Sequence, residues 1–379
     1  REVAGIVWDL IDKGFNRIEV AGFLSELFAT SSADLEADVE LFIKQLLTEE
    51  LISVSTSEAN TAIDASSIKT SGKEYAKPML DVYSDMQDLI LITTSSYDAK
   101  THDIISQFAN TLNLNEKCWL AKGEFGQWAA EYTAIKKAPN LTAMRQKADI
   151  LGLDINIIAN HNRQKKLLLA DMDSTLICGE SLDEVAVKAG IGDKIAAITR
   201  QTMQGELDFN QSVTQRVALL NGLSQNILSE IIAETQLTPG AARLAPVMRK
   251  NGAFCYIVSG GFDFLTTPIA EKIGFNDSFS NRLEIKDNAL TGKIIPPILG
   301  QKAKQDKLFQ LCKQHMISVE DSLAIGDGAN DLEMLTAAGL GIAFNGKPLL
   351  RKIIHTQLNH TDLSGLLFLQ GYSASQIFS

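Results

Sequence analysis

The chain has 379 residues, a formal net charge of −11, and 45% hydrophobic against 21% charged residues. A chain of this length and ordinary globular composition is expected to form two or three domains. The negative balance argues against a nucleic-acid-binding protein, which needs a basic face to neutralise phosphates. It leaves a small anionic substrate open, because a few local cations can dominate one pocket.

The cysteines and the apolar runs indicate the cellular compartment and whether the chain enters a membrane. Cys118, Cys178, Cys255 and Cys312 lie far apart and form no CxxC pair. Neither a disulfide framework nor a zinc site is therefore expected, and a reducing, cytoplasmic compartment fits best. No apolar run approaches the ~20 residues that span a bilayer, and no signal peptide is recognisable, so no membrane association is expected.

The first 160 residues show modules but no catalytic constellation. Apolar residues recur at a period near 3.6 through residues 1–55, which predicts a small helical module, with a winged-helix fold as one option. Residues 56–77 are rich in Ser, Thr and Ala and are predicted to be a linker. Residues 78–160 alternate strand and helix patterns and predict a small α+β domain, ferredoxin-like or ACT-like, whose expected role is packing or homodimerisation. The predicted elements are LILITTSS, HDIISQFANTLNL, KCWLAKGE, LTAMRQKADILGL and DINIIAN.

Residues 165–379 predict a Rossmann-like α/β domain. Short apolar runs bounded by glycine or polar residues alternate with long helical patterns, which is typical of a parallel sheet covered on both faces. A helical stretch at about 180–240, between the first two runs, is too long for one crossover helix and predicts a cap. NRLEIKDNALTGKII predicts a hairpin that turns at Asp287–Asn288. The predicted strands are KKLLLAD, AFCYIVSGG, DSLAIGDG and LGIAFNG.

Polar motifs follow three of these strands. Ligands of open parallel sheets bind outside the carboxyl ends of the strands, so the motifs should share one crevice. A group of carboxylates there needs a cation, and oxygen ligands with a substrate phosphate favour Mg²⁺. Lysine, a Ser hydroxyl and glycine amides suit the phosphate itself. The motif residues are Asp171, Asp173, Ser259, Gly260, Asp327, Asn330 and Asp331, with Lys304 ahead of the third strand.

The ordered set DMDST, SGG, a lysine and GDGAND resembles the haloacid dehalogenase superfamily over about residues 165–350. Within it, MQGELDFNQSVTQRVALL and Glu180 resemble the phosphoserine phosphatase family. The resemblance implies hydrolysis of O-phospho-L-serine to L-serine and phosphate, the last step of serine biosynthesis, with Mg²⁺ as cofactor.

Site roles follow from the same resemblance. It implies that Asp171 is the nucleophile and forms an aspartyl phosphate, while Asp173 protonates the leaving oxygen and later activates water. Asp171, the backbone carbonyl of Asp173 and Asp327 would bind the metal, with Asn330 and Asp331 in supporting roles. The phosphoryl oxygens would be held by Lys304, Ser259 and the amide of Gly260.

The cap is expected to select the substrate. Phe209 and Arg216 are seven residues apart and share one face of a predicted helix, which an Asp208–Gln211 capping box would start. Arg216 could grip a carboxylate bidentately, Glu180 could pair with an ammonium group, and Phe209 could form an apolar wall. Phosphoserine carries both charged groups.

Several alternatives stay open at this stage. Lys302 or Lys307 could be the phosphate-binding lysine in place of Lys304. Glu180 and Arg216 could form an ordinary salt bridge, and Phe209 could belong to the core. Cys178 is interpreted as a small packed residue. The function could instead be phosphoryl transfer to another alcohol, such as homoserine. A non-catalytic binding protein on the same fold is disfavoured, because every motif residue is present.

Overall fold

The computed structural model describes residues 88–134, 140–203 and 206–379, together with residues 7, 10, 17–28, 35, 37–40 and 42–44. The chain divides into two compact units, Arg1–Ser84 and Asp85–Ser379. In the first unit, helix α1 (Arg17–Phe28) lies within the predicted helical module, while the winged-helix option stays a prediction. The predicted linker 56–77 lies outside the described residues. No helix among the described residues is both long and apolar enough to cross a membrane.

The second unit begins with a four-stranded antiparallel sheet in the order β2-β3-β1-β4. Both helices pack on one face of this sheet, where side chains such as Ile105 and Met144 meet Ile90 and Ile155. The predicted α+β character is therefore observed, and the ACT-like assignment stays a prediction. One strand, Gln127–Ala134, was not predicted. The elements are β1 (Leu89–Ser95), α2 (Thr101–Thr111), β2 (Leu114–Lys122), β3 (Gln127–Ala134), α3 (Leu141–Ile150) and β4 (Asp154–Ile158).

The rest of the unit is built on a seven-stranded sheet in the order β11-β10-β9-β5-β6-β7-β8. All neighbouring pairs are parallel except β7 and β8, which form the predicted hairpin. Asp287 and Asn288 both have positive φ angles, 51° and 62°, as a type I′ turn requires. The strands are β5 (Leu167–Ala170), β6 (Phe254–Phe262), β7 (Asp277–Lys286), β8 (Ala289–Ile295), β9 (Ser322–Gly326), β10 (Leu340–Phe344) and β11 (Thr356–Leu358).

Helices surround this sheet, and four of them form the predicted cap between β5 and β6. The cap leaves and rejoins the sheet domain at one place, because Ile177 and Leu237 form an isolated antiparallel bridge. The cap helices are α4 (Ser181–Lys188), α5 (Gly192–Met203), α6 (Phe209–Ala218) and α7 (Asn226–Glu234). The remaining helices are α8 (Ala241–Lys250), α9 (Asp263–Ile273), α10 (Gln301–His315), α11 (Leu332–Ala337), α12 (Pro348–Ile353), α13 (Gly365–Leu369) and α14 (Ala374–Ile377).

The free face of the small sheet packs against the larger domain, and their buried side chains form one core cluster that includes Leu89 and Leu91. Polar contacts also hold the two domains together at this interface, which we call the seam. The carboxylate of the buried Asp154 accepts hydrogen bonds from the backbone N–H groups of Asn359, His360 and Thr361, at 2.7–3.0 Å. Because these backbone groups have their partners in the other domain, the two domains are expected to unfold together.

A buried ion pair closes the same seam, and its removal should destabilise the unit. Arg163 pairs with Glu131 at 2.6 Å, with side-chain exposures of 13% and 3%, and also donates to the carbonyls of Phe368 and Leu369. Arg163→Ala removes the closest cation from a buried carboxylate and leaves it only the more distant Lys117, so we expect a loss of about 3 kcal/mol in the free energy of unfolding. Denaturant unfolding followed by circular dichroism measures this loss.

Lys117→Ala is the matched control for this prediction. Lys117 lies 3.9 Å from the same carboxylate of Glu131 and is 40% exposed, so its removal should cost less than about 1 kcal/mol. Equal effects of the two substitutions would show that the Arg163–Glu131 pair does not hold the domains together.

Candidate active site

The turn after β5 brings two carboxylates to the end of a fully buried strand. Asp171 follows Ala170 and caps the turn, with its Oδ1 accepting the N–H of Met172 at 2.8 Å. Ser174 then adopts a positive φ of 55°, and its N–H donates to the carbonyl of Gly179 at 2.9 Å. The sequence DMDST therefore forms a tight loop in which Asp171 and Asp173 stay at the strand end.

Lys304 is the cation that compensates Asp171. Its Nζ lies 2.8 Å from Asp171 Oδ1 and 2.6 Å from Asp331 Oδ1, and its side chain is only 1% exposed. Burial lowers its pKa, but the two carboxylates outweigh burial and raise the pKa above its ordinary value. Lys302 is exposed and Lys307 lies over the ring of Phe279, so Lys304 is the lysine of this helix that reaches the crevice.

Three buried carboxylates, Asp171, Asp327 and Asp331, have oxygen atoms within 4.8 Å of one another. Asp331 is the least available of them, because its Oδ1 accepts from Lys304 and its Oδ2 accepts from the N–H of Gly328. This leaves Asp171 and Asp327 as the carboxylates best able to bind a cation. An all-oxygen set with excess negative charge fits a hard divalent cation.

Asp173 lies outside this cluster of three carboxylates. Burial, with the nearby charges of Glu180 and Asp171, raises the pKa of Asp173 to about 7. Its Oδ1 accepts the N–H of Ser181 at 2.8 Å. A Cβ atom at Gly261 would lie only 2.6 Å from its Oδ2, so glycine at that position makes room for the carboxyl group. A carboxyl group with a pKa near neutrality is suited to donate and to recover a proton.

Ser259 and Gly260 lie inside β6, which continues to Phe262. The predicted strand AFCYIVSGG is therefore observed one residue further along the chain, and its pairing with β7 passes through an irregularity between Val258 and Phe262. The Oγ of the buried Ser259 accepts the N–H of Gly261 at 3.0 Å. Phe209 Cζ is 3.0 Å from where a Cβ of Gly260 would be, so this ring, which also packs against the core, covers the glycine turn.

Arg216 and Glu180 face the crevice from the cap, and the capping box of Asp208 and Gln211 starts helix α6 as predicted. Glu180 precedes α4 and accepts from the hydroxyl of Ser174 at 3.1 Å. Burial lowers the pKa of Arg216, and the charges of Asp183, Glu180 and Asp173 counteract it. Among the described residues no carboxylate lies within ion-pair distance, 4.0 Å, of Arg216. The alternative of an ordinary Glu180–Arg216 salt bridge is therefore not what the structure shows.

Sequence reasoning missed Lys347 and misjudged Cys178. Lys347 Nζ lies 3.1 Å from Asp327 Oδ2 and 3.9 Å from Glu180 Oε1, and its N–H donates to the carbonyl of Asp327 at 2.8 Å. It is thus a second lysine beside the acid cluster. Cys178 is exposed rather than packed, because it lies on the loop where the cap departs. Asn330 lies on the short turn Ala329–Asp331, with its Oδ1 against Gly328.

Comparisons with known proteins agree with this geometry. A model of haloacid dehalogenase-like hydrolases matches residues 168–336. The phosphoserine phosphatase of Methanocaldococcus jannaschii is 39% identical over 54% of this chain and 97% of its own length. A haloacid dehalogenase family hydrolase from Salmonella enterica serovar Typhi superposes with a TM-score of 0.68 at 32% identity, covering 74% of this chain and 98% of that one.

A solved phospho-aspartyl intermediate analogue of a phosphoserine phosphatase is 39% identical, with a TM-score of 0.51, over 54% of this chain and 98% of that one. The chain spans only 60%, 53% and 65% of the length of longer curated phosphoserine phosphatases from Streptomyces coelicolor, Mycobacterium tuberculosis and Archaeoglobus fulgidus. The parallel sheet, its helical cap and the aspartates at the strand ends are features of a haloacid dehalogenase-like hydrolase. The chain belongs to the phosphoserine phosphatase family of these hydrolases.

Proposed function

We propose that this protein hydrolyses O-phospho-L-serine to L-serine and inorganic phosphate, in the last step of serine synthesis. The observation that carries the proposal is that Asp171 and Asp173, on one turn, have different surroundings. Asp171 Oδ1 lies 2.8 Å from Nζ of the buried Lys304, and Asp173, two residues further on, accepts the N–H of Ser181 and has its pKa raised to about 7 by burial and by its acidic neighbours. On this arrangement we assign Asp171 as the nucleophile and Asp173 as the proton donor.

In the first half of the reaction, an oxygen of Asp171 attacks the phosphorus atom and the bond from phosphorus to the seryl oxygen breaks. The proton of Asp173 passes to that oxygen, so serine leaves as the neutral alcohol. Lys304 stabilises the negative charge on the phosphoryl oxygens, together with Ser259 and the amide of Gly260. The products of this half are serine and an aspartyl phosphate on Asp171.

In the second half, Asp173 is a carboxylate and accepts a proton from water. The water oxygen forms a bond to phosphorus, the bond from phosphorus to Asp171 breaks, and phosphate is released. Asp173 is protonated again and Asp171 is regenerated. Phe209 covers the glycine turn of the site, which limits the entry of other water molecules.

Asp171 and Asp327, with the backbone carbonyl of Asp173, would hold Mg²⁺. The buried acid cluster carries three carboxylates, and the two lysines beside it leave an excess of negative charge. The bound ion would neutralise charge on the transferring phosphoryl group.

Selectivity for serine rests on the cap. The charges of Asp183, Glu180 and Asp173 act on Arg216, but no described carboxylate lies within ion-pair distance of it, so its guanidinium is available to a substrate. A zwitterionic amino acid would bind with its carboxylate on Arg216 and its ammonium on Glu180. A homodimer and a cytoplasmic location remain predictions.

Phosphate release from a panel of monoesters tests the proposal. With Mg²⁺ present, we expect O-phospho-L-serine to be turned over well above phosphothreonine and sugar phosphates, and a chelator to abolish release from all of them. Equal turnover across the panel would contradict the assignment of O-phospho-L-serine as substrate. Activity in excess chelator would contradict the proposed requirement for a divalent metal. Product analysis with an added acceptor alcohol distinguishes hydrolysis from phosphoryl transfer.

A further inference from the structure

Ser174 has an unusual backbone conformation for a residue that carries a side chain. Its φ of 55° lies in the left-handed region, which a non-glycine residue seldom adopts because its Cβ crowds the backbone. Its N–H donates to the carbonyl of Gly179 at 2.9 Å, so the loop folds back and brings Ser174 close to Glu180. Glycine adopts this φ without the steric cost. The turn alone therefore does not explain the side chain at this position.

The side chain of Ser174 contacts the carboxylate of Glu180. Its Oγ donates a hydrogen bond to Glu180 Oε1, with the two oxygens 3.1 Å apart. Glu180 stands immediately before helix α4 and makes no side-chain cap to it, so the helix itself does not orient this carboxylate. A hydrogen bond to an ionised acceptor is stronger than one between neutral groups. Ser174 is therefore well placed to fix the carboxylate of Glu180.

Lys347 also lies beside this carboxylate but is less suited to hold it. Its Nζ is 3.9 Å from Glu180 Oε1 and only 3.1 Å from Asp327 Oδ2, so Asp327 is its closer partner. Both contacts of Glu180 fall on Oε1, and no residue of the described ranges donates to Oε2. The neutral hydroxyl of Ser174 holds one oxygen without adding a positive charge, and Oε2 stays available to a cationic group.

We infer that Ser174 is a positioning residue that holds Glu180 so that Oε2 receives the ammonium group of O-phospho-L-serine. Ser174 lies three residues after Asp171 on the same turn. The loop that carries the nucleophile therefore also sets the direction of the group that selects the substrate. This inference rests on the proposed function and adds a residue to its substrate specificity.

The test compares two ligands that differ at one group. In 3-phosphoglycerate a hydroxyl replaces the ammonium of O-phospho-L-serine, and its Ki as a competitive inhibitor is measured without the need for its turnover. Ser174→Gly removes the hydroxyl and accepts the positive φ. We expect it to raise KM for O-phospho-L-serine about 10-fold and to change kcat less than about 2-fold. The Ki of 3-phosphoglycerate should change less than about 3-fold.

Ser174→Ala separates the effect of the hydroxyl from that of the backbone. Alanine also lacks the hydroxyl but keeps the steric cost of the left-handed conformation. It should therefore unfold at a lower temperature than Ser174→Gly and yet give the same ratio of KM to Ki. A ratio that changes in Ser174→Ala but not in Ser174→Gly would overturn the inference. Asn288→Gly, at another positive φ in the β7–β8 turn, is the matched control and should leave both constants unchanged.

A double variant shows whether Ser174 acts through Glu180. If it does, adding Ser174→Gly to Glu180→Gln should raise KM no further than Glu180→Gln does alone. A further rise in the double variant, or equal changes of KM and Ki in Ser174→Gly, would overturn the inference and leave the proposed function intact. A wild-type enzyme that cleaves an aryl phosphate but not O-phospho-L-serine would overturn the proposed function, and this inference with it.

Discussion

Replacing Asp171 with asparagine is expected to lower phosphate release from O-phospho-L-serine by about 10⁴-fold or more, because an amide does not act as a nucleophile here. The variant should stay folded. Asp171 is one of three clustered buried carboxylates, so removing its charge relieves repulsion. Lys304 keeps Asp331 as its partner, at 2.6 Å. Steady-state phosphate release and thermal unfolding measure the two effects separately.

Trapping the aspartyl phosphate tests the assignment of Asp171 as the nucleophile directly. Wild-type protein quenched in acid during turnover should carry one phosphoryl group on the peptide that contains Asp171, and Asp171→Asn should carry none. Asp306→Asn, at an exposed position of α10, is the control and should retain both turnover and the adduct. Turnover of Asp171→Asn within tenfold of the wild type would contradict the assignment of the nucleophile.

The sheet domain was predictable because its strands are short apolar runs with polar or glycine boundaries. The missed strand β3, QWAAEYTA, lacks such a run. Its buried positions include Glu131, which is tolerated because Arg163 pairs with it. A charged residue inside a strand is interpretable only once its tertiary partner is known. The small domain was therefore recognised as α+β, but its sheet was predicted one strand short.

The site was predictable to the extent that local sequence determines it. Asp171, Asp173 and Asp327 follow the ends of strands, and a parallel sheet brings such positions together. Lys347 escaped prediction because it follows β10 in an ordinary loop, where most lysines are solvated. Its ion pair with Asp327 arises only because β10 lies next to β9 in the sheet.

Lys304→Met should impair both catalysis and stability, because this one side chain serves two buried carboxylates. Without its charge, the phosphoryl oxygens lose an oriented cation, and we expect kcat to fall about 10²- to 10³-fold. Asp171 and Asp331 lose their counter-ion, which should lower the free energy of unfolding by about 3 kcal/mol. Methionine preserves the length of the side chain, so the change is mainly one of charge.

The comparison with Lys302→Met distinguishes this specific role from a general effect of lost positive charge. Lys302 lies two residues earlier on the same helix and is exposed, so its substitution should leave kcat unchanged and alter stability by less than about 0.5 kcal/mol. Activity is measured at a temperature where both variants are folded, as judged by circular dichroism. A folded Lys304→Met protein with nearly wild-type kcat would mean that Lys304 neutralises the acid cluster without contacting the transferring phosphoryl group, and the phosphate-binding role would pass to Lys347, the other lysine that the structure places beside the cluster.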